Sequence, residues 1–398
     1  MISISEALRI VKAQAVRLEP KSIGLDAAVG RVLAQDIAAD MDMPPFDRSQ
    51  MDGFAVRKAD VSDAPAKLKI VGESVAGTGW HNTLREGEAV RIMTGAAVPD
   101  GADSVQKVEL TDESDGIVTI LKPTKTNQNI VKRSEEITSG DQIFKKGEII
   151  TENMIAALAS FGYARVLVSR RPRVAILATG SEIVNISEKP SLDQIRNSNS
   201  SMLKAFAESA GADVEILTNA EDDLEHLKES ISSATDRCDC LIISGGVSVG
   251  DYDFTKPALR ENGAEIFFEK ISLKPGKPTV FAKKGNTLIF GLPGNPVSAA
   301  VTFFVFVRMA LLLMQSAHKY ALKRGFAVLS HPINGAKGRD SLLPVSLKTT
   351  KKARLKIETL RFSGSSNFIA FSKASGLVFI PADSTLDKGD IAEIMFLP

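Results

Sequence analysis

Apolar residues at Ile4, Ala7, Leu8, Val11, Ala15 and Leu18 recur at helical spacing, and Ser3-x-x-Glu6 in front of them reads as a capping box. They predict one amphipathic helix of about four turns. A second short helical piece is expected from Asp26 towards Leu33 and Ile37, interrupted by Gly30. Between residues 66 and 143 the period drops to two: short runs at 67–71, 89–93, 105–110, 118–122 and 142–144 stand between Gly, Pro and Asp turns. A helix over 152–161, capped by Thr151 and stopped at Gly162, returns to the spacing of the opening helix. Residues 1–42 and 145–170 therefore read as a helical scaffold, with residues 43–144 inserted into it as a β-rich module.

Past Ser169-Arg170-Arg171-Pro172, which reads as a linker, buried runs at 174–178, 214–217, 240–243, 265–268, 278–282 and 287–290 alternate with helical stretches near 200–210, 222–234, 255–262 and 296–314. That alternation predicts a parallel sheet in an α/β domain spanning 171–320. The apolar stretch 297–314 is long enough to test against a membrane span. Ser298, Thr302 and the central Arg308, directly after a Pro-Gly-Asn-Pro loop, favour a buried or subunit-contact helix. Runs at 326–329, 342–347, 355–359, 377–380 and 391–396 then predict a small carboxyl-terminal β domain, residues 321–398. The expected fold class is multidomain, α/β plus β.

Composition narrows the function more than the fold. Lys plus Arg number 49 against 48 Asp plus Glu, so no global field points to nucleic acid or to a membrane, and any anion site must be local. Cys238 and Cys240 stand two apart in a predicted strand, without disulfide geometry, which fits a reducing cytoplasm. His81, His226, His318 and His331 are scattered, which excludes a structural zinc site and makes them surface residues. The opening residues read as an amphipathic helix and not as a signal peptide.

The candidate chemistry gathers at strand ends. Residues 241–253, Leu-Ile-Ile-Ser-Gly-Gly-Val-Ser-Val-Gly-Asp-Tyr-Asp, run from a buried strand into amides at Gly245 and Gly246, the Ser248 hydroxyl, and the carboxylates Asp251 and Asp253. Such a loop can hold an anionic group and a divalent cation together, which suits a phosphorylated substrate. Residues 288–298 repeat the design, with Pro293, Gly294, an expected cap at Asn295, and Pro296 in the first helical position. Two such loops imply one crevice at the carboxyl ends of the strands. Thr179-Gly180-Ser181-Glu182 falls at the same edge, Arg196-Asn197-Ser198-Asn199 opens the next helix, and Lys270 with Lys274-Pro275-Gly276-Lys277-Pro278 supplies positive charge. Asp52 stands at a predicted turn, Arg91-Ile-Met-Thr94-Gly95 puts a hydroxyl at a strand end, and residues 132–136 read as a solvated turn of opposite charges.

As a set, residues 44–55 (Pro-Pro-Phe-Asp-Arg-Ser-Gln-Met-Asp-Gly-Phe-Ala), Arg-Ile-Met-Thr-Gly, Thr-Gly-Ser-Glu, Arg-Asn-Ser-Asn, Ser-Gly-Gly-Val-Ser-Val-Gly, Lys-Pro-Gly-Lys-Pro and Gly-Leu-Pro-Gly-Asn-Pro-Val-Ser resemble the molybdopterin molybdenumtransferase family, which includes the carboxyl-terminal domain of gephyrin. The resemblance covers nearly the whole chain. It implies a molybdopterin-binding type of central domain and a homodimer. It also implies a reaction that takes adenylylated molybdopterin and molybdate, with Mg2+, and releases AMP. Carried over by motif, the metal-binding acids are Asp52, Glu136, Glu182, Asp222 and Asp253. Asp52, Thr94, Asp253, Lys270 and Lys274 are implied at the chemistry. Gly245, Gly246, Ser248, Lys277, Pro293, Gly294, Asn295, Pro296 and Ser365 are implied at the substrate. Arg48, Gln106, Ser181, Glu136 and Pro344 depart from the family pattern. An adenylyltransferase-like enzyme and a non-catalytic scaffold are the alternatives. A molybdopterin adenylyltransferase and other molybdenum cofactor proteins are the implied partners.

Overall fold

The structure, a computed structural model, describes residues 1–218, 223–247, 254–352, 354–360, 364 and 366–398. It divides into two compact units: Met1–Gln35, Lys146–Glu152 and Arg165–Pro398 form one, and Asp36–Lys145 with Asn153–Ala164 form the other.

In the first unit, β1 (Arg173–Ala178), α1 (Ser198–Ser209), β2 (Asp213–Ile216), α2 (Leu224–Thr235), β3 (Cys240–Ser244), α3 (Thr255–Glu261), β4 (Glu265–Phe268), β5 (Val280–Lys284), β6 (Thr287–Leu292) and α4 (Pro296–Met314) build the expected α/β domain. The sheet order is β2-β1-β3-β6-β5-β4. β2, β1, β3 and β6 are parallel, as expected, but β5 runs antiparallel to both of its neighbours. Its reversal comes from the Gly285-Asn286 turn, with Gly285 at φ +57°, a two-residue hairpin connection.

Period two along the central strands sorts their side chains. Val174, Ile176 and Ile242 face Leu203 and Ala207 of α1 and the apolar side of α4. Ala175, Leu177, Leu241 and Ile243 face Leu227 and Ile231 of α2 and Ala258 and Leu259 of α3. α4 passes a length-and-hydropathy test for a membrane span, yet 89% of its apolar window is buried within the fold. Phe303, Phe306 and Leu311 are fully enclosed, each stabilising the core by about 1.5–3 kcal/mol. The buried-helix expectation holds.

The opening helix, Ile4–Gln14, is shorter than expected because Ala15 is already extended. Ser3 caps it by accepting from the Glu6 amide at 3.1 Å, while the Glu6 carboxylate turns to Arg9 and leaves the capping box half formed. Its Ala7 and Val11 join the α4 core. The second helical piece is a correction: only Leu25–Ala27 makes a 3-10 turn, and the stretch expected to continue it is taken up by β pairings of Val32 with Ile149, Leu33 with Val168 and Ile37 with Phe144. These β-branched and apolar residues suit such pairing, which outweighs the local helical spacing. Ahead of the turn, Pro20–Gly24 is a strand paired antiparallel with Arg165–Ser169.

Arg324–Leu329, Asp340–Thr349, Leu355–Thr359, Gly376–Ile380 and Ile391–Phe396 form the carboxyl-terminal β domain. Asp340–Thr349 pairs with both Leu355–Thr359 and Gly376–Ile380, so these strands close into a barrel without free edges.

The second unit carries a six-stranded sheet in the order Ser104–Lys107, Gly53–Val56, Glu88–Ile92, Ala66–Ser74, Ile117–Ile120, Thr111–Ser114. Gly53–Val56, expected as the far side of a turn, is an interior strand. A Cβ at Gly53 would stand 2.0 Å from the Gln106 carbonyl oxygen. Gln106 itself is buried, its Nε2 donating to the Lys122 carbonyl at 2.7 Å and its Oε1 accepting from the Lys107 amide at 3.1 Å. The polar residue is therefore satisfied in place. Gly53→Ala should force these strands apart and lower stability towards the upper end of about 1–3 kcal/mol. Thermal unfolding of the purified variant measures it, and an unchanged midpoint would show that the strands tolerate the methyl group.

Candidate functional site

β1, β3 and β6 end at one edge of the sheet, and the loops that follow them meet there. Gly245 and Gly246 lie at φ +101° and +59°. A Cβ at Gly245 would stand 2.6 Å from the Thr179 carbonyl oxygen, and one at Gly246 would stand 2.9 Å from both Thr179 Oγ1 and Thr255 Oγ1. Only glycine fits at either position. On the facing loop, a Cβ at Gly294 would have the Gly245 Cα 3.8 Å away. Asn199, in the first turn of α1, joins the two loops: its Nδ2 donates to Ser244 Oγ at 2.9 Å and to the Gly294 carbonyl at 2.7 Å.

The loops line a crevice of about 1060 Å³, large enough for a nucleotide-sized ligand. Glu182 and Arg196 stand on one wall, and Ser366 and Phe368 of the carboxyl-terminal domain stand on another. Ser366 Oγ donates to Asn295 Oδ1 at 3.1 Å. Asn295 does occupy the N-cap position with Pro296 behind it, but its side chain makes no capping bond. Its carboxamide is turned to the Ser366 hydroxyl instead.

Two features give this crevice an affinity for polar, anionic groups. α1 and α4 both begin on it, through Ser198 and Asn199 and through Asn295 and Pro296, so the partial positive charge of two helix amino termini faces the space. On its lining, Thr179 Oγ1 and Asn199 Oδ1 are buried with no hydrogen-bond partner among the described residues. Each such atom costs about 1–3 kcal/mol when left unpaired. A polar ligand seated against the glycine loops can offset that cost.

The expected residues divide between the two units. Glu182, Gly245, Gly246, Pro293, Gly294, Asn295 and Pro296 are brought together around the crevice. Lys270, Lys274 and Lys277 are not among its described lining, although the adjoining Pro278 is. Lys274 belongs to a short strand, Leu273–Lys274, that pairs with Asp340 and Ser341 at the barrel edge. Asp222, Ser248, Asp251, Asp253 and Ser365 lie outside the described residues. Asp223 is the cap of α2, accepting from the His226 amide at 3.0 Å. Thr179, Arg196, Asn199 and Ser366 were not singled out as site residues. The Arg196-to-Asn199 run, polar at a helix start just after a strand end, was the signal for two of them.

In the second unit, Asp52 precedes the strand Gly53–Val56 and Thr94 follows the antiparallel neighbour Glu88–Ile92. Asp52 Oδ1 accepts from the Thr94 amide at 2.6 Å and from the Thr94 hydroxyl at 2.7 Å. The amide bond first, and then the hydroxyl, hold the Asp52 carboxyl below the usual aspartate range. Glu136 pairs with Arg48 at 3.4 Å. The turn at 132–136 is more than a solvated cluster: Lys132 reaches Asp47 at 2.6 Å and Arg133 reaches Asp42 at 2.5 Å. These pairs tie it to the proline-rich segment. Among the described residues, no three His, Cys, Asp or Glu side chains gather as a metal cluster. All four histidines are exposed. Cys238 and Cys240 are buried and free, and burial pushes the Cys238 thiol up to about 11.

Because the Asp52 pKa is depressed, the stabilisation from its two bonds is present above the ordinary aspartate pKa and is lost as pH falls through the lower folded value. Thr94→Val removes the hydroxyl and keeps the amide. A carboxyl-carbon NMR titration should show the Asp52 midpoint moving up, yet staying below a free aspartate. No movement would show that the hydroxyl bond is immaterial in solution.

Three family models match the chain: the MoeA N-terminal region (domain I and II) over residues 2–162, a probable molybdopterin binding domain over 175–312, and the MoeA C-terminal region (domain IV) over 327–397. A molybdopterin molybdenumtransferase of Staphylococcus epidermidis is 35% identical over 399 aligned residues, covering 99% of this chain and 95% of the relative. One of Staphylococcus aureus is 38% identical over 320 residues, 79% of this chain and 76% of the relative. A crystal structure of a molybdopterin biosynthesis MoeA protein from Pyrococcus horikoshii superposes with a TM-score of 0.85 at 30% identity, over 100% of this chain and 99% of that one.

Proposed function

Because the chain belongs to the MoeA family of molybdopterin molybdenumtransferases, we propose that adenylylated molybdopterin sits in the β1–β3–β6 crevice while molybdenum passes from molybdate to its dithiolene sulfurs and AMP is released. The chain is a transferase of molybdenum cofactor biosynthesis. The observation that carries the siting is the approach of the Gly245 and Gly294 loops, bridged by Asn199 and flanked by the buried Thr179 hydroxyl, which has no partner among the described residues.

The substrate's parts match the crevice's parts. Phosphate oxygens are served by the amides of the glycine loops and the starts of α1 and α4. The Arg196 side chain, whose Nε donates to the Glu188 carbonyl at 2.9 Å, presents a further cation to the lining. Ile183, Ile186 and Ile195 offer apolar surface to a flat ring system. Molybdate and a phosphoanhydride repel one another, so fixed positive dipoles at the crevice lower the cost of their approach. No protein nucleophile is required.

Magnesium binds through one or two carboxylates together with phosphate oxygens and water. Glu182, a hard oxygen donor on the crevice wall, fits that role. When bound, the ion would neutralise charge developing on the anhydride oxygens. The proposed assembly is a homodimer in which Asp52 and Thr94 of one protomer serve the crevice of its partner. Two free, buried cysteines fit a reducing compartment, and the cytoplasm is the proposed location.

Purified protein supplied with adenylylated molybdopterin, molybdate and magnesium should release AMP, and Asp52→Ala or Glu182→Gln should slow that release about tenfold or more. Pyrophosphate release from ATP would instead mark an adenylyltransferase, and no release from the wild type would mark a scaffold. If the crevice is completed across a dimer, mixing the two inactive variants in equal amounts should restore about a quarter of the wild-type rate through mixed dimers with one intact site. No recovery after confirmed subunit exchange would place Asp52 outside the partner's crevice.

A further inference from the structure

A second pocket, of about 460 Å³, opens where the Pro20–Gly24 strand, the linker at 169–172 and the amino ends of β1 and β2 come together. β1 rises about 3.3 Å per residue, so its start lies roughly 17 Å from the crevice edge. Five of the six residues lining this pocket are cationic, Lys21, Arg31, Arg170, Arg171 and Arg173, and the sixth is Asp213.

Three local acids, Asp213, Asp239 and Glu19, face five cations and do not account for all of that charge. Asp239 takes Arg170 in a two-bond fork at 2.6 and 2.8 Å, and stands 3.7 Å from Arg173 Nε. Asp213 stands 3.4 Å from Arg171. Lys21 has no ion-pair partner among the described residues. Arg31 is only 8% exposed. Its Nη2 donates to the Ser169 carbonyl at 2.8 Å, but its Nε is buried with no hydrogen-bond partner among the described residues. Burial first, and the Arg171 charge second, push the Arg31 pKa down, as expected for a guanidinium held among like charges. Guanidinium forks in this number, with one buried donor unmet, match an oxyanion that can accept from several directions at once.

We propose that this pocket binds a multiply charged phosphate ligand, inorganic pyrophosphate or the diphosphate of a nucleotide, at a site separate from the crevice. Lys21 and Arg171, both exposed, close over the ligand, and Arg31 meets it from the floor. Bound there, the ligand would bridge the Pro20–Gly24 strand, the linker and the sheet.

The test is calorimetric titration of the full chain with pyrophosphate and, separately, with ADP, at low salt and without magnesium. Wild type should bind at least one of them, and the binding that belongs to this pocket is the part kept by Arg196→Gln in the crevice. Lys21→Gln with Arg171→Gln should weaken binding about tenfold or more, whereas Arg196→Gln, in the crevice, should leave it unchanged. Tighter binding of ADP assigns a nucleotide, and tighter binding of pyrophosphate assigns the free ion. No binding by wild type, or binding lost in the Arg196 variant and kept in the Lys21 and Arg171 variant, overturns the proposal. Circular dichroism of the variants separates lost binding from lost fold, and Lys21→Gln alone serves should the double variant fail to fold.

Discussion

The crevice depends on one close approach, that of the backbone at Gly245 and Gly246 to Thr179 at the end of β1. Parallel strands β1, β3 and β6 deliver three loops to the same edge, and that arrangement alone would place side chains in one another's way. Glycine at 245 and 246 removes them, and the positive φ values there turn the amides where a β-carbon would otherwise project. Asn199 then locks the result by bonding to Ser244 and to Gly294 at once. The α/β layers on either side of the sheet hold the strand ends rigidly enough for a gap of this kind to persist.

Charge is handled differently at the two ends of that sheet. At the carboxyl end the positive potential comes from helix starts, with Arg196 the described cation on the wall. At the amino end it comes from formal charges, crowded until burial and repulsion depress the Arg31 pKa. The first device suits a substrate that must leave, because backbone dipoles are fixed and add no flexible side chain to be ordered on each turnover. The second suits a ligand that stays. A chain whose net charge is +1 thus carries two electropositive places, which only a residue-by-residue reading separates.

Much of this was legible in the residues. All six strands of the α/β domain and its four helices fall where apolar runs and caps put them, and the glycine loops singled out in the sequence meet at one sheet edge. What escaped depended on distance along the chain. The Pro20–Gly24 strand exists because Arg165–Ser169, far away in sequence, pairs with it, and short-range periodicity contains no trace of that partner. The lysines of the 270–278 segment were assigned to the anion site by charge and by motif, and the structure places Lys274 in a short strand against Asp340 and Ser341, outside the described lining of the crevice. Ser366 reaches Asn295 only because the closed barrel presents its loop there. β5 was read as parallel although Gly285-Asn286 spelled out a hairpin.

The acidic loop of the second unit follows the same logic as the crevice with the roles exchanged. Gly53 lets its strand lie against Gln106 so closely that no β-carbon fits, and the residue before it, Asp52, is thereby held beside Thr94. Two short bonds then keep the carboxylate ionised while leaving it exposed. Both bonds fall on one oxygen, so among the described residues the other oxygen has no hydrogen-bond partner and can take a cation or a proton donor. That is the state a ligand-binding carboxylate needs, and it is built from an amide and a hydroxyl, not from a neighbouring positive charge that a metal would have to displace.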